Sequence, residues 1–378
     1  MTRITAPWLQ SRAAQTVCAV LTDAGYQAWF VGGCVRNALL GEAVADLDLS
    51  TDAHPDIVTA LAQGAALKVI PTGIDHGTVT ILAENTPFEV TTFRRDVATD
   101  GRRATVAFAD NMTDDARRRD FTMNALYADA NGNLADPLGG LPDLQARRIV
   151  FIENADQRIK EDYLRILRFF RFQAWYGDPE SGPAADGLAA CAENIDGLQQ
   201  LSVERITSEL LKLLSALNPA PAVASMASTG ALMAILPGAE PASLSVLIHV
   251  EEQAGLEPDP IRRLALLGGD PTTALRLSKE QIKTLDQLKT PMSHTEAAYH
   301  FGAQTGLDRI AIEAASFGQE LDPNLVQTIQ NAAKETFPLT AADFMPALQG
   351  PALGKALKSA ESRWIASGFT LTKADLLD

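Results

Sequence analysis

The first 135 residues combine helical and strand-like spacing of hydrophobic positions. Helical spacing covers Trp8 to Ala24 and Val35 to Leu40, each closed by a glycine, and the apolar run Ala28 to Val31 predicts a strand between them. Alternation of apolar and polar residues, which predicts further strands, recurs at 46–49, 78–82, 88–93 and 105–108. Short strands mixed with helices are typical of an α+β domain built around one small sheet.

From residue 156 onward the pattern becomes helical. A long helix is predicted from Ile159 to Trp175, and a Gly-, Pro- and Ser-rich stretch ends it before residue 187. Shorter helical patterns follow at 203–214, 262–267, 279–288, 297–301 and 308–317. The second half of the chain is therefore predicted to be mostly helical.

Composition excludes several classes of protein. The chain has 378 residues, of which 46% are hydrophobic and 21% charged, and this balance indicates an ordered globular protein. No apolar run approaches the roughly 18–20 residues of a membrane span, and the N-terminus lacks a basic-then-apolar signal pattern. The three cysteines, Cys18, Cys34 and Cys191, are too few and too scattered for a disulfide framework or a zinc site. A reducing compartment, the cytoplasm, is expected.

The net charge of −15 argues against a nucleic-acid partner, but its distribution weakens that objection. Residues 1–172 carry 18 basic and 22 acidic side chains, a net charge of −4, whereas residues 173–378 carry 14 and 25, a net charge of −11. Of those 18 basic residues, 16 are arginine. Arginine binds phosphate in a bidentate way and stacks on bases, so the bias indicates phosphate or base recognition unless it only reflects codon usage.

The first motif with chemical meaning is a glycine turn followed by two acids. A predicted strand ends at Gly32 and Gly33, which leaves backbone N–H groups free to approach a phosphate, and Arg36 lies one turn into the next helix. Asp46 and Asp48 are expected on one face of the following strand, where paired carboxylates are natural Mg²⁺ ligands. Glu89, on another predicted strand, would supply a third carboxylate. A glycine turn beside a solvated strand edge is the alternative interpretation.

The second motif is an arginine run followed by polar residues within an apolar segment. Arg117, Arg118 and Arg119 are adjacent, and alone they would indicate a solvated helix end with local ion pairs. Asp120 and Asn124, four residues apart, lie among apolar neighbours. That pattern suits a turn that enters the core with its polar groups facing a cleft.

The third motif is a charged pattern on the long predicted helix. Asp162, Arg165 and Arg168 are each three residues apart and are expected on one helical face, with Arg171 at its edge. The rest of this helix is apolar, so the charges need partners. A face of i,i+3 salt bridges is one interpretation, and an acceptor with a rigidly spaced donor that reads the edge of a base is the other.

Together the three motifs resemble the class II tRNA nucleotidyltransferase and bacterial poly(A) polymerase family. The motifs are Gly-Gly-x-Val-Arg with Asp-x-Asp, Arg-Arg-Asp-Phe-Thr-Met-Asn-Ala, and Glu-Asp-x-x-Arg-x-x-Arg. Further matching blocks lie at 72–79, 96–103 and 202–206, and the resemblance covers residues 28–215 in one order. One departure is Asn37, because family members usually carry Asp after the first-motif arginine, and this puts an ion pair from that position in doubt.

The resemblance implies a polymerase-β-like nucleotidyltransferase head with a small mixed sheet, followed by an all-helical remainder. It implies a catalytic head at 1–138, a neck that recognises the base at 139–215, and a body and tail that bind tRNA at 216–378. It implies two Mg²⁺ ions held by Asp46 and Asp48, with Glu89 added to the catalytic set. It implies a nucleotide-binding set of Gly32, Gly33, Arg36, Arg119, Asp120, Asn124, Asp162, Arg165, Arg168 and Arg171.

The activity implied is addition of C, C and A to the 3′ end of tRNA from CTP and ATP, without a membrane and with no obligate protein partner evident. Within that set, the resemblance assigns the base to Asp162 and Arg165. Poly(A) polymerase is the close alternative, and the block at 72–78 favours the CCA-adding branch. Whether the chain is instead a specialised CC-adding or A-adding enzyme depends on the segment at 96–103. An inactive RNA-binding module would have lost a metal carboxylate, whereas Asp46 and Asp48 are both present.

Overall fold

The computed structural model describes residues 3–74, 77–100, 103–345 and 347–377, and of residues 72, 96–100 and 103–106 only the backbone. The chain divides into two compact units. The first comprises Met1–Leu213 with Pro221–Ile235, and the second comprises Leu214–Ala220 with Leu236–Asp378. The division into head, neck, and body with tail stays a prediction.

A mixed sheet forms the centre of the first unit. Among the described residues it has seven strands in the order β3-β4-β5-β2-β1-β8-β9, with β2 parallel to β5 and all other neighbours antiparallel. The strands are β1 (Trp29–Val31), β2 (Leu47–Thr51), β3 (Lys68–Gly73), β4 (Thr78–Ala83), β5 (Thr86–Thr92), β8 (Tyr127–Ala128) and β9 (Leu134–Ala135). Strand β2 therefore pairs with β1 through Leu49 and Ser50 and with β5 along its whole length.

A second, two-stranded sheet pairs β6 (Arg94–Asp100) antiparallel with β7 (Arg103–Phe108). The sequence predicted one sheet and a strand that runs through Phe93. Instead β5 ends at Thr92, and Phe93, which is fully buried, separates it from β6. Of the family-like blocks, Asp75 and His76 and also Gly101 and Arg102 lie outside the described residues.

Three helices accompany the first strands: α1 (Arg12–Thr22), α2 (Gly33–Leu40) and α3 (Pro55–Gly64). The helix predicted from Trp8 instead starts as a 3₁₀ turn at Pro7–Gln10, and α1 begins only after Ser11. The reason is local, because the Ser11 hydroxyl accepts the Ala14 N–H and caps the helix there. Helix α2 ends as predicted, at Gly41 with φ +74°.

The rest of the first unit is helical, as predicted. Its helices are α4 (Met112–Arg117), α5 (Leu141–Gln145), α6 (Ala155–Glu161), α7 (Leu164–Tyr176), α8 (Ala185–Glu193), α9 (Val203–Leu214), α10 (Ala220–Ser228) and α11 (Ala231–Ile235). Additional 3₁₀ turns lie at Thr122–Asn124 and Ile195–Gln200. Phenylalanine rings from the segments that follow α4 and α5 pack against rings of α7, and the Phe121 ring centroid lies 4.9 Å from those of both Phe151 and Phe172.

The second unit is entirely helical in its described part. Its helices are α12 (Leu244–Ala254), α13 (Pro260–Leu267), α14 (Pro271–Ala274), α15 (Lys279–Lys289), α16 (His294–Phe301), α17 (Ala303–Phe317), α18 (Pro323–Ala332), α19 (Gly350–Ala366) and α20 (Lys373–Leu377), with a 3₁₀ turn at Ala341–Phe344. Among the described residues, no helix has both the length and the apolar character needed to cross a membrane.

A buried ionic cluster lies at the centre of this second unit. Glu251 on α12 accepts hydrogen bonds from Arg262 (2.8 Å) and Arg263 (2.6 Å), which are at most 1% exposed. Arg262 also binds Asp308 on α17 at 2.7 Å. Arg263 also donates to the backbone carbonyls of Leu214 and Ala216, which belong to this unit. The cluster therefore joins three helices through charges that water does not reach.

Candidate active site

The strand β1 runs into a glycine turn that opens helix α2. Gly32 has φ +72° and ψ −123°, a conformation that L side chains rarely adopt, and α2 begins at Gly33. A Cβ atom at Gly32 would lie 3.4 Å from Nη1 of Arg119, so this guanidinium lies directly against the turn. The first N–H groups of a helix have no intrahelical partner, and they carry partial positive charge. The turn therefore combines backbone donors with an arginine, as an anion site requires.

Arg36 lies one turn into α2 and is only 7% exposed. Its Nη1 donates to Asn124 at 2.6 Å, and its Nε and Nη2 donate to the side-chain oxygen of Asn37 at 3.1 and 2.9 Å. Its Nη2 also donates to the hydroxyl of Tyr176 at 2.8 Å. Position 37 thus gives Arg36 a hydrogen bond but no ion pair, which settles the doubt raised by the Asn37 departure.

Arg119 is held by a fully buried carboxylate, Asp115. Asp115 accepts from Arg118 at 2.8 Å, from Arg119 at 3.0 Å and from the Tyr127 hydroxyl at 2.8 Å. Burial opposes ionisation of Asp115, but the two guanidinium groups outweigh it and hold its pKa well below the usual range. Ser50, on the same strand as Asp48, contacts both Asp115 and Arg119 at 3.3 Å. Asp115 therefore positions Arg119 relative to strand β2.

Three carboxylates lie near the N-terminal end of β2, close enough for their charges to interact. The strand begins at Leu47, one residue later than predicted, so Asp46 lies just before it while Asp48 lies within it. Asp48 is directly in register with Glu89 on the parallel strand β5. Burial raises the pKa of Asp48 to about 6, and the charges of Glu89 and Asp46 add to that rise, whereas Arg119 opposes it. The end of β2 thus concentrates negative charge beside the glycine turn.

These carboxylates fit a divalent cation. Carboxylate oxygens suit a hard cation such as Mg²⁺, which is usually bound by one or two protein carboxylates together with substrate phosphates and water. Within the described ranges, no group of three or more His, Cys, Asp or Glu side chains is spaced to hold a metal by itself. Burial raises the pKa of Asp48 most, and the neighbouring carboxylates Glu89 and Asp46 add to the rise; a cation at this position would offset both effects. The Asp46 and Asp48 pair therefore fits a metal that is completed by substrate.

Asp120 and Asn124 connect the glycine turn to helix α7. Asp120 is 7% exposed and accepts from Asn124 at 2.8 Å and from Arg168 at 2.7 Å. Burial opposes ionisation of Asp120, but Arg168 and the hydrogen bonds lower its pKa to about 2. Since Asn124 in turn binds Arg36, the two polar residues hold two arginines in place rather than lining an open cleft. Their direct contact with a nucleotide stays a prediction.

The long helix predicted from Ile159 to Trp175 is interrupted at Asp162. Helix α6 ends at Glu161, Asp162 adopts an extended conformation (φ −153°, ψ 104°), and α7 begins at Leu164. The Asp162 carboxylate accepts the N–H of Leu164 at 3.1 Å, so a short side chain competes with the helix for a backbone donor. The expectation that Asp162 shares a helical face with the arginines is therefore wrong. Asp162 instead lies before the first turn of α7, where it binds Arg205 at 2.7 Å.

The three arginines of α7 each have an acidic partner, as the apolar character of the helix required. Arg165 binds Glu161 at 2.6 Å and donates to two backbone carbonyls, those of Arg158 and Arg118, at 2.7 and 3.0 Å. Arg168 binds Asp120, and Arg171 binds Glu209 on α9 at 2.5 Å. All three arginines are thus ion-paired, but not through the i,i+3 face that the spacing suggested, and base recognition stays a proposal.

Three guanidinium groups surround one aromatic ring. Arg36, Arg168 and Arg171 lie 5.1, 5.2 and 4.7 Å from the ring centroid of Phe172. Cations attract the face of an aromatic ring, so Phe172 offsets part of their mutual repulsion. The result is a positively charged region between the glycine turn and α7. The acidic partners Asp120 and Glu209 compensate only part of its charge.

Several residues of this site were not selected from the sequence. They are Ser50, Asp115, Tyr127, Tyr176, Arg205 and Glu209. For Asp115 a signal existed, because it lies four residues before Arg119. The pairs Asp162–Arg205 and Arg171–Glu209 span 43 and 38 residues, and no local pattern reports a partner at that distance.

Comparison with family models identifies two segments of the chain. Residues 28–150 match the poly(A) polymerase head domain. Residues 184–243 match a probable RNA- and SrmB-binding site of polymerase A. The glycine turn, the carboxylates of β2 and Asp120 all lie in the first segment.

Several similar bacterial proteins are named CCA-adding enzymes. The CCA-adding enzyme of Geobacillus kaustophilus is 41% identical over 216 residues, which are 57% of this chain and 52% of that protein. That of Limosilactobacillus reuteri is 38% identical over 252 residues, which are 64% and 60% of the two. The chain thus spans little more than half the length of these curated relatives. The crystal structure of the Bacillus stearothermophilus CCA-adding enzyme with CTP superposes with TM-score 0.78 at 27% identity, covering 96% of this chain and 94% of that one.

Proposed function

We propose that the chain is a member of the tRNA nucleotidyltransferase and poly(A) polymerase family, which its matches support, and that it adds C, C and A to the 3′ end of tRNA from CTP and ATP. The observation that carries the proposal is the convergence of the Asp46, Asp48 and Glu89 carboxylates with the Gly32 turn and Arg119. Nucleotidyl transfer moves a nucleotide from a triphosphate to a hydroxyl group. It therefore needs both the carboxylates and the glycine turn with Arg119.

The chain's own residues account for binding and charge stabilisation. The backbone N–H groups at Gly33 and the guanidinium of Arg119 bind the triphosphate, with Arg36 beside them. The terminal 3′ oxygen of tRNA then forms a bond to the α-phosphorus while the bond to pyrophosphate breaks. Negative charge develops on the departing pyrophosphate, and arginines that are already fixed in place stabilise it without reorganisation.

Asp46 and Asp48 would hold the divalent cations. Two Mg²⁺ ions, when bound, supply Lewis-acid activation of the 3′-hydroxyl and neutralise charge on the leaving group. Glu89 adds negative charge opposite Asp48 through the register of β2 with β5, and this raises the local affinity for cations.

Base selection is assigned to Asp162 and Arg165, with Arg168 and Arg171 completing the nucleotide site. A carboxylate accepts from the exocyclic amine of C or A, and a guanidinium donates to a ring nitrogen, whereas U and G present the opposite pattern. The two side chains do not share a helix face, but both are fixed by ion pairs, Asp162 to Arg205 and Arg165 to Glu161. Fixed donors and acceptors are what a protein template requires.

We expect Arg165→Ala to relax base selectivity. Without its guanidinium, the incorporation of UTP or GTP should rise relative to CTP and ATP by about tenfold to a hundredfold, since a good polar pair provides roughly 1–3 kcal/mol of base discrimination. Single-nucleotide incorporation with all four triphosphates measures the ratios. Arg148→Ala is the matched control, because Arg148 forms an exposed pair with Asp143 in the same unit.

A role of Arg165 in phosphate binding alone gives a different result. If Arg165 only bound phosphate, the substitution would slow all four nucleotides by a similar factor, and unchanged ratios would remove it from the base template.

tRNA binding is expected to weaken with salt despite the net charge of −15. Local arginine clusters release counterions from the RNA phosphates, so the affinity should fall at least about tenfold between ~50 and ~200 mM salt. A filter-binding titration of tRNA at several salt concentrations measures the slope. An affinity that is independent of salt would exclude tRNA as the natural substrate.

The other candidates are separated by substrate. A poly(A) polymerase would extend an unrelated RNA with ATP alone. A CC-adding enzyme would stop after the second C, and an A-adding enzyme would add only the final A to a tRNA that already carries both C residues. A non-enzymatic RNA-binding module would incorporate neither nucleotide. We place the reaction in the cytoplasm, since Cys18, Cys34 and Cys191 are buried, unpaired thiols, which suits a reducing compartment.

A further inference from the structure

Tyr176, the last residue of helix α7, contacts Arg36 in two ways. The guanidinium carbon lies 4.0 Å from the centroid of the Tyr176 ring, and Nη2 donates to its hydroxyl at 2.8 Å. Phe172, one turn earlier on α7, lies 5.3 Å from Tyr176 and also contacts the guanidinium. Arg36 is therefore fixed in position by the end of a helix that lies 140 residues away in sequence.

Arg36 is a buried cation whose hydrogen-bond acceptors, among the described side chains, are all uncharged. They are the amide oxygens of Asn37 and Asn124 and the Tyr176 hydroxyl. Asp120, a nearby acid that acts on the Arg36 charge, is already bound by Arg168. A buried charge without a charged partner is costly, and a guanidinium in that state gains most from an anionic ligand.

The geometry also shows where that anion would lie. A Cβ atom at Gly33 would be 3.9 Å from Nη2 of Arg36, and one at Gly32 would be 3.4 Å from Nη1 of Arg119. The two guanidinium groups therefore lie beside consecutive glycines at the N-terminus of α2, an eight-residue helix. An anion at this helix end meets backbone donors and both arginines.

We infer that Tyr176 is a positioning residue that holds Arg36 against the triphosphate of the incoming nucleotide. Tyr176 thereby sets the affinity for the triphosphate group equally for nucleotides of every base. The identity of the anion as a nucleoside triphosphate rests on the proposed function, but the role of Tyr176 toward Arg36 does not. Tyr176 belongs to the same helix as Arg165, so α7 contributes separately to phosphate affinity and to base choice.

The test compares Tyr176→Leu and Tyr176→Phe with the wild-type chain. Calorimetric titration with inorganic tripolyphosphate measures anion affinity without a base, and steady-state assays give KM and kcat for CTP and ATP. Loss of the ring and hydroxyl in Tyr176→Leu should weaken tripolyphosphate binding about tenfold, and loss of the hydroxyl alone about two- to threefold. KM should rise by the same factor for CTP and ATP, while kcat changes less than about threefold. Trp175→Leu is the matched control, since it removes an exposed ring from the same helix end without touching Arg36.

The outcomes separate this inference from the proposed function. Unchanged tripolyphosphate affinity in the folded variants would overturn the role of Tyr176, even if the wild type extends tRNA. If Tyr176→Leu does not fold, as judged by circular dichroism, the Tyr176→Phe value decides. An altered ratio of CTP to ATP use would also overturn it, because it would show a contact to the base. Weakened tripolyphosphate binding in a chain that adds no nucleotides would support the inference and contradict the proposed function.

Discussion

Asp48→Asn and Asp46→Asn should each abolish the addition of both C and A. The two carboxylates serve chemistry that is common to every nucleotide, so incorporation of either should fall at least about a thousandfold with Mg²⁺ present. tRNA binding should stay within about twofold, because the substitutions remove no contact that the arginines make with phosphate. Thermal stability should not fall, since Asp48 is repelled by Glu89 and Asp46.

Asp56→Asn is the control for this pair, because Asp56 is an exposed acid in the first turn of α3 in the same unit. It should retain wild-type rates for CTP and ATP. Near-normal addition of both nucleotides by the Asp46 or Asp48 variant would show that these carboxylates do not hold the catalytic cations.

Glu251→Ala should strongly destabilise the second unit. It removes the carboxylate that both Arg262 and Arg263 bind, and leaves two guanidinium groups in a site that water does not reach. Breaking a buried ion pair by removing one partner costs about 3–5 kcal/mol, which corresponds to a drop in Tm of roughly 6–20 °C for a unit of this size. Scanning calorimetry of the full chain measures it.

The neighbouring acid provides the control. Glu252 is exposed on the same helix, so Glu252→Ala should shift Tm by no more than about 2 °C. Equal melting temperatures for the Glu251 and Glu252 variants would mean that the arginines find other partners and that the cluster does not stabilise the unit.

The parts of the fold that depend on local pattern could be predicted. Gly41 ended α2, and Leu47 and Leu49 are buried on either side of Asp48 because side chains alternate along a strand. Asp162 shows where that reasoning stops. The helical spacing continues through it, but its carboxylate accepts the Leu164 N–H and breaks the helix, a competition that hydrophobic periodicity does not register.

The candidate site shows a similar division. The charged residues were predictable by type and spacing, because the glycine turn, the carboxylates and the arginines each have a characteristic local pattern. Their partners were not. Glu209 and Tyr176 reach Arg171 and Arg36 only through packing between elements far apart in sequence. Their roles follow from distances, which an isolated sequence does not contain.

The most direct test of the account is incorporation of labelled CTP and ATP, separately and together, into tRNA that lacks its last three nucleotides. With CTP alone the chain should add two residues and stop, and with both triphosphates it should add C, C and A and then stop. ATP alone should give little extension. Extension by ATP alone into a long homopolymer, with no use of CTP, would contradict the account.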